Sequence, residues 1–120
     1  MKPEEIALAI AEYAADRKAL DIVQLDLREI ISYTDYFVIC SGRSDRQTKG
    51  IHDAVHMGMK QDHGLLPARV EGLGQGDWIL MDYLDVVVHV FTPETRERYR
   101  LEQLWREAPA TKLEPVAADA

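Results

Sequence analysis

The stretch GDWILMDYLDVVVHVF, Gly76 to Phe91, sets Asp77, Asp82, Asp85 and His89 together with Trp78 inside an apolar run. Carboxylates and an imidazole at such spacing suggest either acid–base or metal chemistry, or a surface that another macromolecule reads. If Tyr83 and Leu84 form a two-residue hairpin turn, Asp82 lies opposite Asp85, Leu80 opposite Val87 and Trp78 opposite His89. Ile79, Met81, Val86, Val88 and Val90 then point one way, a purely apolar face that helices must cover. Trp78, Leu80, Asp82, Asp85, Val87, His89 and Phe91 point the other way and read as a mixed recognition platform around an indole. Catalysis fits less well, because a metal-dependent nucleotidyl site places acids at i and i+2 on one strand face, and no such pair occurs on this hairpin. Two opposed aspartates would instead call for a partner's Arg or Lys.

Other constellations are weaker. His52 and His56 in HDAVH have the i, i+4 spacing of a helical metal site, but Asp53 replaces the glutamate base of zincins and no third ligand is identifiable. These histidines are expected on the helix surface, with no metal. The glycines of EGLGQGD lead into no helix N-terminus and no Lys-Ser/Thr, so they read as a loop rather than a phosphate cradle. Ser41-Gly42 follows a buried strand as in a nucleotidyltransferase entry, without the carboxylate pair that chemistry needs. Cys40 lies in the apolar run YFVIC and reads as a small buried hydrophobe.

The elements that must position these residues follow from periodicity and punctuation. Pro3, Glu4 and Glu5 open a first helix that runs to about Lys18. DIVQLDL alternates like a half-buried strand and YFVICS forms a second strand. Ser44 with Gln47 forms a capping box for a second helix with an Ile51, Val55, Met59 stripe, ended near Gly64 and Pro67. A short strand near Ala68 to Glu71 precedes the hairpin strands, Trp78 to Asp82 and Asp85 to Phe91. Thr92 and Pro93 start a third helix anchored by Tyr99, Leu101, Leu104 and Trp105. Residues 1–107 thus form one domain, and 108–120, rich in Ala and Pro, read as a disordered tail. The order implies an α/β domain with a mixed sheet and helices packed mainly on one face.

At 120 residues with 47% hydrophobic content, one core is expected. No apolar run is long enough to span a bilayer and the N-terminus lacks a signal-peptide pattern, so a cytoplasmic location is expected. A net charge of −7 lacks the basic footprint of a nucleic-acid binder, and direct sequence-specific nucleic-acid binding is not expected. Between Leu66 and Phe91 the charges are Glu71, Asp77, Asp82 and Asp85 against Arg69 alone, a face suited to a cationic partner.

The ordered motifs LDL, TDYFVICSGRSDRQTKGIHDAV, VEGLGQGDWILMDYLDVVVHVF and RERYRLEQLW resemble the ribosomal silencing factor family, also called Iojap-like proteins, over about residues 5 to 106. The resemblance implies a nucleotidyltransferase-like α/β fold without enzymatic activity or cofactor. It further implies binding to the large ribosomal subunit through ribosomal protein uL14, which blocks small-subunit joining when nutrients are scarce, and a homodimer. Asp77, Trp78, Leu80, Asp82, Tyr83, Asp85 and His89 are the expected partner-binding residues. A phosphate-handling, nucleotidyltransferase-like enzyme is the alternative. The chain departs from the family at Leu84, where Gly is usual; a side chain there predicts a wider or strained turn.

Overall fold

The computed structural model describes residues 1–113. Helix α1 (Pro3–Asp16) starts at Pro3, and the Lys2 backbone N–H donates to Glu5 Oε1. Strand β1 (Leu20–Asp26) pairs antiparallel with β2 (Tyr36–Ser41). Helix α2 (Asp45–His63) is capped as its sequence demands: Ser44 Oγ accepts from the Gln47 N–H at 3.2 Å, and Gly64 closes the far end in the left-handed region. The Gln47 side chain turns back to accept from the Arg43 N–H. Strands β3 (Arg69–Glu71), β4 (Trp78–Asp82) and β5 (Val86–Phe91) follow, then α3 (Pro93–Tyr99), α4 (Leu101–Leu104) and β6 (Ala110–Lys112).

The six strands form one mixed sheet in the order β3-β4-β5-β2-β1-β6. Strands β2 and β5 are parallel and central, and their near-continuous apolar sequences match burial on both faces. Helices α1 and α2 cover one face through Ile6, Ile10, Ile51, Val55 and Met59, which meet Val38, Cys40, Ile79, Met81, Val88 and Val90. The short α3 and α4 with the segment to Ala108 lie over the other, where Leu101 and Ala108 close a second core on Leu25, Phe37, Ile39 and Phe91. The two long helices thus share one face, as expected, and Cys40 is fully buried.

Four local expectations are corrected. The hairpin register differs by two residues: Asp82 faces Val87, Leu80 faces His89 and Trp78 faces Phe91. A shift of two preserves which face each side chain occupies, so the sorting survives although the pairs do not. Its cause is a wider turn closed by the Tyr83 N–H on the Val86 carbonyl, with Leu84 at φ +73. The third helix breaks at Arg100, at φ +48, which lets Leu101 turn into the core and leaves Tyr99 and Leu104 exposed. The segment expected to begin a disordered tail instead buries Ala108 and adds β6 to the β1 edge, since an unpaired edge offers backbone groups to any chain that reaches it. Residues 114–120 of that expected tail lie outside the described residues. Finally, His52 is buried rather than on the surface, with Nδ1 2.9 Å from Asp53 Oδ1.

Candidate functional site

Strand β4 carries the site. Its alternation sends Ile79 and Met81 into the helix-covered core and leaves Trp78, Leu80 and Asp82 on the opposite face, where all three are half-buried. Helices α3 and α4 reach across the sheet from β5 but do not close over β4; Tyr99 covers only the Trp78 end, with ring centroids 4.7 Å apart. Trp78 also packs on Phe91 at 5.0 Å. The result is a partly open row of apolar side chains along one strand.

The indole is fixed from behind. Trp78 Nε1–H donates to His89 Nδ1 at 3.1 Å, a diagonal contact across β4 and β5. Because an indole N–H only donates, Nδ1 must be unprotonated and the neutral ring carries its proton on Nε2. His89 is enclosed by Phe37 and Phe91, and burial pushes its pKa down to about 4. His89 is therefore a neutral acceptor that orients Trp78, not a surface group.

The acids are spread along the strand. Asp77 is exposed at the Trp78 end, and Asp85 is exposed in the turn at the other. At ~3.4 Å per residue, Asp82 lies about 14 Å from Trp78, so the acids bracket the apolar row. Asp82 does not oppose Asp85: its Oδ1 accepts from the Leu84 N–H at 2.8 Å, and its Oδ2 lies 3.7 Å from the Arg69 guanidinium. Tyr83, expected to touch a partner, faces the core beneath α1 and α2; burial drives its phenol up to about 12. Of the seven expected contact residues, the structure keeps Asp77, Trp78, Leu80, Asp82 and Asp85 accessible and withdraws Tyr83 and His89. It adds Tyr99 and Leu84, which sequence reasoning assigned to helix packing and to the turn. The exposed φ-positive Leu84 had a legible signal, a bulky apolar residue where a turn wants glycine.

At the Ser41-Gly42 turn, Ser41 lines a depression with Arg96, Arg100, Glu102 and Lys112, but its hydroxyl and the Arg96 guanidinium are engaged within the protein. Ser41 Oγ accepts from Arg96 Nη1 at 2.9 Å, while the same guanidinium grips Glu102 through Nε and Nη2. A Cβ at Gly42 would meet the Thr48 backbone nitrogen at 2.9 Å, so the glycine is there for close packing on α2. His52 and His56 lie with ring centroids 5.7 Å apart, and no cluster of three potential metal ligands occurs among the described residues.

Fold and site together define an α/β domain whose distinguishing feature is a partly uncovered, acid-bracketed sheet face rather than a constellation of reactive groups. The family described as "Ribosomal silencing factor during starvation" matches residues 1–120. A ribosomal silencing factor from Halalkalibacterium halodurans is 37% identical over 97% of this chain and 98% of its own length. The mouse "Mitochondrial assembly of ribosomal large subunit protein 1" is 39% identical over 72% of this chain, which covers 39% of that protein. A crystal structure of a Chromobacterium violaceum protein superposes with a TM-score of 0.85 at 32% identity, covering 98% of both chains. The chain belongs to the ribosomal silencing factor family.

Proposed function

We propose that this protein binds the large ribosomal subunit through ribosomal protein uL14 and, by occupying that surface, prevents the small subunit from joining, so that translation is repressed in the cytoplasm when nutrients are limiting. The observation that carries this reading is the open face of β4, where Trp78, Leu80 and Tyr99 form an apolar centre bracketed by Asp77, Asp82 and Asp85. An anchored aromatic inside a polar rim is the usual anatomy of a protein interface, and the acids suit a basic ribosomal protein. Electrostatic complementarity of this kind accelerates encounter, while the buried aromatic contact sets lifetime. The mechanism is occlusion and uses no reacting group. Family membership supports the ribosomal partner; the engagement of the β4 face is inferred from its chemistry.

A homodimer, also implied by the family resemblance, would draw on the same surface, because α1 and α2 already cover the opposite sheet face. Self-association and ribosome binding then compete. The experiment that tests the function is subunit joining followed by light scattering, with the protein added to large subunits before small subunits. The proposal requires a dose-dependent loss of joined particles and co-sedimentation with large subunits only. Undiminished joining at saturating protein, or equal sedimentation with small subunits, refutes it.

A further inference from the structure

The −7 net charge conceals a segregated positive surface. Arg17 and Lys18 end α1, and Arg43, Arg46 and Lys49 surround the start of α2; all but the half-buried Lys49 are exposed. Elsewhere Arg28 is paired with Asp26, Arg69 with Glu71 and Asp82, Arg96 with Glu102 and Arg100 with Glu97, while Arg98 and Arg106, on the α3–α4 side, also form no ion pair among the described residues. The five side chains at the ends of α1 and α2 form no ion pair among the described residues, although Asp16, Asp45 and Asp53 lie near them in sequence, and Asp53 is engaged with His52.

The patch rests on a rigid frame. Gln47 Nε2 donates to the carbonyls of both Arg17 and Lys18 at 3.2 Å, while its Oε1 accepts from the Arg43 N–H at 2.7 Å, so one side chain ties the end of α1 to the start of α2. Arg17, Arg46, Gln47, Lys49, Gly50 and Asp53 line a depression, three cations against one carboxylate. The start of α2 adds its dipole, which favours anions. The patch also adjoins the β4 site: a Cβ at Gly76 would come within 3.0 Å of Lys49 Cε, Thr48 Oγ1 donates to the Gly76 carbonyl, and Asp77 and Trp78 follow directly.

We propose that Arg17, Lys18, Arg43, Arg46 and Lys49 form a second docking surface that takes the phosphate backbone of RNA beside the protein contact made by β4. This rests on the ribosomal reading above and deepens it. A domain with an acid-bracketed apolar strand at one place and unpaired cations next to it matches a junction between a basic protein and RNA, and phosphate contacts of this kind read shape without sequence.

The test compares two charge reversals of equal size. Arg46→Glu with Lys49→Glu alters the patch, whereas Lys2→Glu with Lys60→Glu makes the same change in net charge outside it. Affinity for purified large subunits is measured across a range of salt concentrations, with thermal unfolding recorded for each variant. Each lost phosphate contact reduces the log–log salt slope by roughly 0.7 to 0.9, so the patch variant should lose about 1.5 units of slope and about tenfold in affinity at low salt. The control should keep the wild-type slope. In a second arm, an isolated RNA duplex of about 16 base pairs is titrated against the labelled protein at low salt, with amide shifts read residue by residue. Shifts confined to residues 17–18 and 43–50, and abolished in the patch variant, support the surface. Equal slopes for both variants, or duplex-induced shifts that are absent or fall elsewhere, overturn it. Failure of the wild type to bind large subunits refutes the ribosomal reading, and the duplex titration then decides the patch alone.

Discussion

Lowering the pH should loosen the site from within, because His89 is held neutral in the folded protein. The unfolded chain takes up a proton at this imidazole as pH falls below about 6.5, whereas burial delays protonation of the folded chain until about pH 4. Stability contributed by His89 is therefore complete above pH 6.5 and lost as pH falls toward 4, by on the order of 3 kcal/mol across the window. About 1.4 kcal/mol of that is gone at pH 5.5. Protonated Nδ1 also ceases to accept from Trp78 Nε1–H, so the indole loses its fixed orientation as the charge enters. Urea unfolding of the wild type and of His89→Leu at intervals from pH 7.5 to 4.5 isolates the contribution, with the His89 titration followed by NMR. The wild type should lose more stability than the variant between pH 6.5 and 4.5. An ordinary imidazole titration near 6.5 in the folded protein, or identical pH profiles for both proteins, refutes the reasoning.

Trp78→Ala should weaken large-subunit binding on the order of thirtyfold, the cost of a central interface indole of ~2 kcal/mol. Thermal unfolding must show the variant folded, and full binding by the folded variant removes Trp78 from the interface. Leu84→Gly should stabilise the domain by about 0.5 to 1 kcal/mol, read as a higher unfolding midpoint, because Leu84 sits at φ +73; an unchanged or lower midpoint contradicts it. Ending the chain after Pro109 removes β6 and re-exposes the β1 edge, which should lower stability by ~1 to 2 kcal/mol in denaturant titration. Gly58→Ala should be destabilising by about 1 to 3 kcal/mol despite its helical position, since its Cβ would meet the Tyr13 ring at 2.5 Å.

Strands β4 and β5 and the two faces of their hairpin were legible because VVVHVF and WILMD carry the period of a strand and because burial makes that period unambiguous. Register was not, since a shift of two leaves the pattern identical and only the turn geometry at Leu84 decides between pairings. The Ser44 and Gly64 caps were readable as local chemistry. The break at Arg100 was not, because RERYRLEQLWRE is helical by propensity and only tertiary contacts, Tyr99 on Trp78 and Leu101 in the second core, interrupt it. Strand β6 was hidden by an Ala- and Pro-rich composition that says little about whether an open sheet edge lies within reach. At the site, residue types pointed to Trp78 and the acids, while the burial of His89 and Tyr83 depends on what α1, α2 and the aromatic cluster place over them. The positive patch escaped notice because its members lie in two separate helix ends and are summed away in the net charge.

The central claim is that the open face of β4 meets ribosomal protein uL14. The most direct measurement places a photocrosslinking side chain at position 80, in the middle of the partly open row, irradiates the protein on purified large subunits, and identifies the attached peptide by mass spectrometry. The account predicts a dominant crosslink to uL14 that disappears when Trp78→Ala is added. A dominant crosslink to any other ribosomal protein, or the same yield of uL14 crosslink in the Trp78→Ala background, would contradict it.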